Sequence, residues 1–173
     1  PHAPTGSVKY ALDEFSYQNL KLDPVVWDWV TLSETEAHYS GALKPPNGGM
    51  GLGTYFHEAL REALKKHDDD KADFRQFDVK EANGNGDGWI DAILFVHSGY
   101  GAEGGFTDCT GTPMKALIWS HEWSLEKPWE SHDGVKVMKY AVNSAMFGSG
   151  MEVNSDCTRY PCCANPPPIA RVG

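Results

Sequence analysis

Residues 81–105 read EANGNGDGWIDAILFVHSGYGAEGG, and the order of their parts decides the fold. A loop of Asn, Gly and Asp runs straight into the apolar segment Ala92 to Val96, AILFV, and then into a second glycine-rich loop carrying His97 and Glu103. Continuous rather than alternating apolarity in so short a run predicts a strand covered on both faces. One glycine-rich loop thus enters the strand and a second leaves it.

Working outward, ALIWSHEW (116–123) and VKVMKYAV (135–142) read as two further strands, separated by a polar stretch ending in Asp133-Gly134. Upstream, TYFHEALREALKKH (54–67) is the clearest helix: Phe56, Leu60, Ala63, Leu64 and His67 repeat on one face. Thr54 is its expected N-cap, Lys65 and Lys66 suit its C-terminal dipole, and the acidic residues 68–70 form a solvated stop. The Pro- and Gly-dense KPPNGGMGLG (44–53) is a loop, and PVVWDWVTL (24–32), rich in Val and Trp, reads as a strand. Val8, Leu12 and Phe15 recur at helical spacing near the start. With no internal repeat and no regular βαβ alternation, the mixture predicts an α+β fold, and 173 residues fit one domain, 1–173.

The chain carries 15 Lys and Arg against 24 Asp and Glu, a net charge of -9. That balance repels phosphate backbones and anionic lipid surfaces, so nucleic acid is a poor partner and cations are better ones. No apolar run approaches the ~20 residues of a membrane span. The opening PHAPTG has neither an initiator Met nor a signal-peptide pattern, so an interior or processed start is expected. Cys109, Cys157, Cys162 and Cys163 include no C-x-x-C pair, which favours a disulfide over a structural zinc site and an oxidising compartment over a reducing one. Adjacent Cys162 and Cys163 pair poorly with each other, so Cys109 is expected to bond one of the late three.

In the first loop, Asn83, Asn85 and Asp87 fall at positions one, three and five of a calcium loop, with Gly88 at six and Asp91 at nine. Alternate oxygen-bearing side chains turn inward around one hard cation, and Gly supplies the sharp turn. Position twelve is Leu94 rather than Glu, which excludes an EF-hand. What remains is a shorter calcium site needing a further carboxylate, for which Asp78 is nearest; the competing reading is a bare Gly/Asn turn. The helix offers His57-Glu58, but position 61 is Arg, so the HExxH zinc signature is absent there. His67 lies ten residues on, ~15 Å along the axis, too far to share an ion. His57 therefore reads as a surface or boundary residue, His97 and His121 as hydrogen-bonded at strand ends, and Trp119, Trp123 and Trp129 as packing residues.

Taken together, SYQNLKL (16–22), WDWVTL (27–32), FHEALREAL (56–64), the block from Asp78 through GNGDGWIDAILFVHSGYGAE, IWSHEWSL (118–125) and DGVKVMKYAV (133–142) occur in an order that resembles the immune inhibitor A type of zinc metallopeptidase. The resemblance covers most of the chain. It implies a zincin-like (metzincin-like) mixed sheet with packed helices, and a secreted zinc endopeptidase acting on protein or peptide substrates. It also implies an HExxH helix beyond Gly173, so these residues would be the N-terminal part of an incomplete catalytic domain, inactive alone. On the same resemblance a sheet-edge strand lines the cleft and pairs with extended substrate. His97, Ser98, Gly99, Tyr100 and Glu103 would lie at the cleft, with His97 and Glu103 as supports. A calcium loop at Asn83 to Asp91 would pin the AILFV strand. The alternative of a different class is a non-catalytic, calcium-stabilised secreted binding module.

Overall fold

The computed structural model describes residues 8–42, 54–79, 85–104 and 112–146. They form α1 (Val8–Phe15), α2 (Glu36–Tyr39), α3 (Thr54–Asp69), β1 (Leu94–Tyr100), β2 (His121–Glu130) and β3 (Lys136–Met146), with short 3₁₀ turns at Phe74–Phe77, Ala102–Gly104 and Met114–Ala116. The expected loop at 44–53, the four cysteines and the side chain of Thr54 lie outside the described residues.

The three strands form one mixed sheet in the order β1-β3-β2. β1 runs parallel to β3, pairing Leu94 with Ala141 and Phe95 with Val142. β2 runs antiparallel to β3, pairing His121 with Val142 and Trp123 with Tyr140. The fold is α+β, as expected. Because side chains alternate across a strand, Phe95 and Val142 point to one face and Leu94 and Ala141 to the other. Only the first face carries helices among the described residues, and Leu94 is 42% exposed, so β1 is not covered on both sides there.

Phe56, Ala59 and Leu60 of α3 pack with Tyr39, Ile118, Leu125, Tyr140 and Val142. A second cluster joins Leu64, Phe74, Val135 and Val137 at the far end of the helix. These are the apolar positions that the 3.6-residue period of α3 aligns, and each large side chain buried this way contributes about 1.5–3 kcal/mol.

Residues 24–32 depart from expectation. They form no strand, and Val26 is 89% and Trp29 67% exposed. Their apolar signal is spent on one anchor: Trp27 lies against His67, Phe74 and Phe77 with ring centroids 4.7, 5.1 and 5.5 Å away. β2 also begins later than expected and continues through the polar stretch to Glu130. Its register shifts between Ser124 and Trp129, and Pro128 is tolerated because β2 has no neighbour on its outer side among the described residues and so no ladder bond to lose there.

The β2–β3 turn closes with Ser131 N–H donating to Val135 O and Gly134 at φ 87°, a conformation that favours glycine. Asp133 ties this turn to the rest by accepting from Phe74 N–H at 2.8 Å. Similarly, Glu62 of α3 accepts from Ser33 N–H and Oγ, each at 2.8 Å, and from the Tyr39 hydroxyl at 2.7 Å.

Burial pushes the Glu62 carboxyl up, but the bonds from Tyr39, Ser33 and Lys66 outweigh it and hold the group down at about 2 against its ordinary 4.5. A depressed carboxylate stabilises the fold above its unfolded value and loses that contribution as pH falls toward the folded one. Glu62→Gln is therefore expected to cost about 1–3 kcal/mol at neutral pH. Urea denaturation should show the deficit shrinking between the ordinary value of 4.5 and about 2. A deficit constant across that range would mean the stabilisation does not come from the charge.

Candidate functional site

The exit of β1 is held by two carboxylates. Glu36, at the start of α2, accepts from Ile118 N–H at 3.3 Å and lies 3.3 Å from His97 Nδ1. Neither ring nitrogen of His97 has an aligned hydrogen-bond partner among the described residues, so the ring lies beside Glu36 without bonding to it. Glu103 accepts from Ser120 Oγ at 2.5 Å and Ser120 N–H at 3.2 Å, fixing the chain one residue before β2. Both carboxylates approach glycine: a Cβ on Gly99 would overlap Glu36, and one on Gly101 would overlap Glu103. The glycines of HSGYGAE thus admit carboxylates rather than leaving open space.

Of the expected cleft residues, Ser98 is exposed, while Tyr100 is buried with Ala102 and Leu117 and serves as packing. Glu103 holds the backbone at Ser120, whereas His97, expected to be hydrogen-bonded at its strand end, makes no aligned hydrogen bond among the described residues and lies beside Glu36. Glu36 and Ser120 complete the arrangement, and nothing in the sequence pattern marks either.

In the first loop, Asn83 lies outside the described residues. Gly88 takes φ 84°, the sharp turn the spacing asked for. Asp78 accepts from Asp87 N–H at 2.9 Å and Gly88 N–H at 3.0 Å, one bond to each oxygen, and Gly86 leaves room for its carboxylate. Asp87 caps Trp89 N–H at 2.9 Å, and Asp91 accepts from Val79 N–H at 2.7 Å. Gly88 O and Ile90 N–H then bond to Lys136, joining the loop to the start of β3. No group of three or more His, Cys, Asp or Glu side chains among the described residues is placed to share a metal ion.

A third cluster was not foreseen. His57 is buried, not a surface or boundary residue, because α3 turns it toward the sheet. Its Nε2 lies 3.2 Å from the Tyr140 hydroxyl, and His121 Nε2 lies 3.1 Å from the same oxygen. His121 Nδ1 lies 2.5 Å from Trp119 O. Burial lowers the His57 pKa and pushes Tyr140 up to about 12. The signal for Tyr140 was its inward position in the VKVMKYAV alternation. Trp119 and Trp123, at the outer strand beside it, are 43% and 65% exposed.

Comparison with known proteins bears on this arrangement. A family model described as immune inhibitor A peptidase M6, catalytic domain, matches residues 4–161. The chain is similar to immune inhibitor A of Bacillus thuringiensis subsp. alesti, 30% identical over 131 residues, covering 68% of this chain and 18% of the relative. It is similar also to the pre-pro-metalloprotease PrtV of Vibrio cholerae serotype O1, 30% identical over 102 residues, covering 56% of this chain and 11% of the relative. The chain thus spans under a fifth of the length of these curated relatives.

The glycine–carboxylate contacts give a direct test. Gly99→Ala should cost about 1–3 kcal/mol, since the added methyl displaces Glu36 from Ile118 and His97. In a Glu36→Ala background the same substitution should cost at least about 0.5 kcal/mol less, as expected for residues in contact. Additive losses in a double-mutant cycle measured by denaturant unfolding would rule the contact out.

Proposed function

The chain belongs to the immune inhibitor A peptidases of family M6, and from that premise we propose that it is the N-terminal part of the catalytic domain of a secreted zinc endopeptidase. The observation that carries this is the family match over residues 4–161. The substrates we propose are proteins or peptides.

The part of the work we assign to these residues is substrate alignment. β2 is antiparallel to β3, lies at the edge of the sheet and turns its outer backbone away from β3, the arrangement in which an extended peptide adds as a further strand. Backbone pairing would set the register of the peptide, and Trp119 and Trp123 flank that edge with exposed apolar surface. Glu103, through Ser120, would hold the start of the edge steady.

Zinc fits none of the described residues, and α3 has Arg61 where HExxH needs its second His. The metal, which in this chemistry activates the attacking water, is therefore not assigned to this chain's residues. An extracytoplasmic location agrees with the four cysteines, for which we propose a disulfide between Cys109 and one of Cys157, Cys162 and Cys163. No described helix is long and apolar enough to cross a membrane.

We assign the first loop to structural calcium, with Asn83, Asn85, Asp87 and Asp91 as ligands. Asp87 and Asp91 each spend one carboxylate oxygen on an amide and have a second for an ion. Asp78 is better placed as the strap that shapes the loop, since both its oxygens already accept amides.

Two measurements test these assignments. The 173-residue chain alone should neither retain stoichiometric zinc nor cleave a casein-like substrate, whereas the chain extended by an HExxH-bearing segment should do both; chelator-sensitive cleavage by the chain alone would overturn the division of labour. A non-catalytic binding module would leave both proteins inactive. For calcium, ten times the dissociation constant should add about 1.4 kcal/mol of stability, a rise of roughly 3–5 °C in Tm. Asp87→Asn, which keeps an acceptor for Trp89 N–H, should lose most of that rise and Asp13→Ala none. An equal rise in Asp87→Asn would leave the loop a turn without an ion.

A further inference from the structure

The His57–Tyr140–His121 cluster joins α3, β3 and the first residue of β2, and its hydrogens can be assigned. Trp119 O can only accept, so His121 Nδ1 carries the proton and, in the neutral ring, His121 Nε2 is an acceptor. The Tyr140 hydroxyl therefore donates to His121 Nε2 at 3.1 Å. The same oxygen then accepts from His57 Nε2–H at 3.2 Å, which leaves His57 Nδ1 without a proton. That nitrogen is buried without a hydrogen-bond partner among the described residues. The chain of donors runs one way, from α3 through β3 to the backbone just before β2.

We infer that Tyr140, with an imidazole on each side, is a positioning group that fixes the start of the β2 edge against α3, and that it does so only while both imidazoles are neutral. The substrate role of this edge rests on the function proposed above; the network itself does not.

A proton added to His121 at Nε2 faces the Tyr140 hydroxyl hydrogen and removes its acceptor. A proton added to His57 goes to Nδ1, where no described group receives it. The first event breaks a bond and the second buries a charged N–H without an acceptor, inside a cluster whose Tyr140 is 2% exposed and lies edge-on to His57, His121 and Phe95. The charged neighbours do not rescue it. Burial is the main influence lowering the His57 pKa; Arg61 on α3 and His121 on β2 act in the same direction, and only Glu126 on β2 opposes them. Glu58 of α3 and Lys127 of β2 share the shallow cavity beside His57, where Arg61 donates to Lys127 O. Tyr140, pushed up to about 12 by burial, stays protonated throughout. Since the folded state holds His57 below its ordinary 6.5, the unfolded chain takes up the proton first, and this contribution to order is lost as pH falls below that value.

The test is hydrogen–deuterium exchange of the full-length polypeptide between pH 8 and pH 5, corrected for intrinsic rates, together with KM and kcat on a peptide substrate. In the parent, protection of residues 119–124 should fall about tenfold across this range while the β1 amides hold. Tyr140→Phe should show the low protection already at pH 8 and a flat profile. His57→Gln, which keeps an N–H for Tyr140 but takes up no proton, should keep the parent's protection at pH 8. The inference fails if it does not, if Tyr140→Phe retains the parent's protection at 119–124, or if the parent's protection there is the same at pH 5 as at pH 8. KM reports separately on the substrate edge: it should rise about tenfold as protection falls. Protection lost at constant KM would uphold the network and overturn β2 as the edge that binds substrate.

Discussion

Irregular backbone must find acceptors for its amides, and in this protein acidic side chains supply them. Glu62 serves Ser33, Glu36 serves Ile118, Glu103 serves Ser120, Asp133 serves Phe74, Asp78 serves Asp87 and Gly88, and Asp91 serves Val79. Where such an amide is half-buried, as at Phe74, Gly88 and Ile118, leaving it without a partner costs more than a made bond returns, so there the carboxylates decide where loops can lie. The net charge of -9 is thus partly architectural: acids that a sequence reader assigns to solvent are struts between loops and elements. The same interaction shapes both ends of β1, with Asp78 ahead of it and Glu103 behind.

This explains what could be read from the sequence and what could not. The helix at 54–69 and the strand at 136–146 follow from periodicity, because their apolar faces meet a continuous core. Residues 24–32 carry the same apolar composition, yet composition cannot tell a strand from a segment pinned by one ring; Trp27 finds His67, Phe74 and Phe77 instead of a strand partner. His57 reads as a surface residue from its HE-x-x-R context alone. Its burial depends on Tyr140, 83 residues away, and no local pattern encodes that meeting. The carboxylate struts are invisible for the same reason: Glu36 and Ile118 are separated by 82 positions.

The family block HSGYGAE was legible as a unit, but its physics was not. The resemblance put this block at a cleft. At Gly99 and Gly101 the close neighbours are instead the carboxylates of Glu36 and Glu103, which then reach Ile118 and Ser120. The block therefore bears on the edge strand through Ser120. Tyr100, which looks like a contact residue in the sequence, is packing for that machinery.

The mixed sheet also fixes an order of assembly. β2 and β3 are joined by the short turn at Ser131–Val135, so their pairing closes a small loop and comes at low entropic cost. β1 reaches β3 only across the whole stretch that includes β2, a parallel contact that rewards the chain late. Loop-closure entropy accordingly favours the hairpin as the first pairing and β1 as the later one. Because Glu103 follows β1 and bonds Ser120 just before β2, the long-range pairing of β1 also carries the contact that fixes the start of the other outer strand.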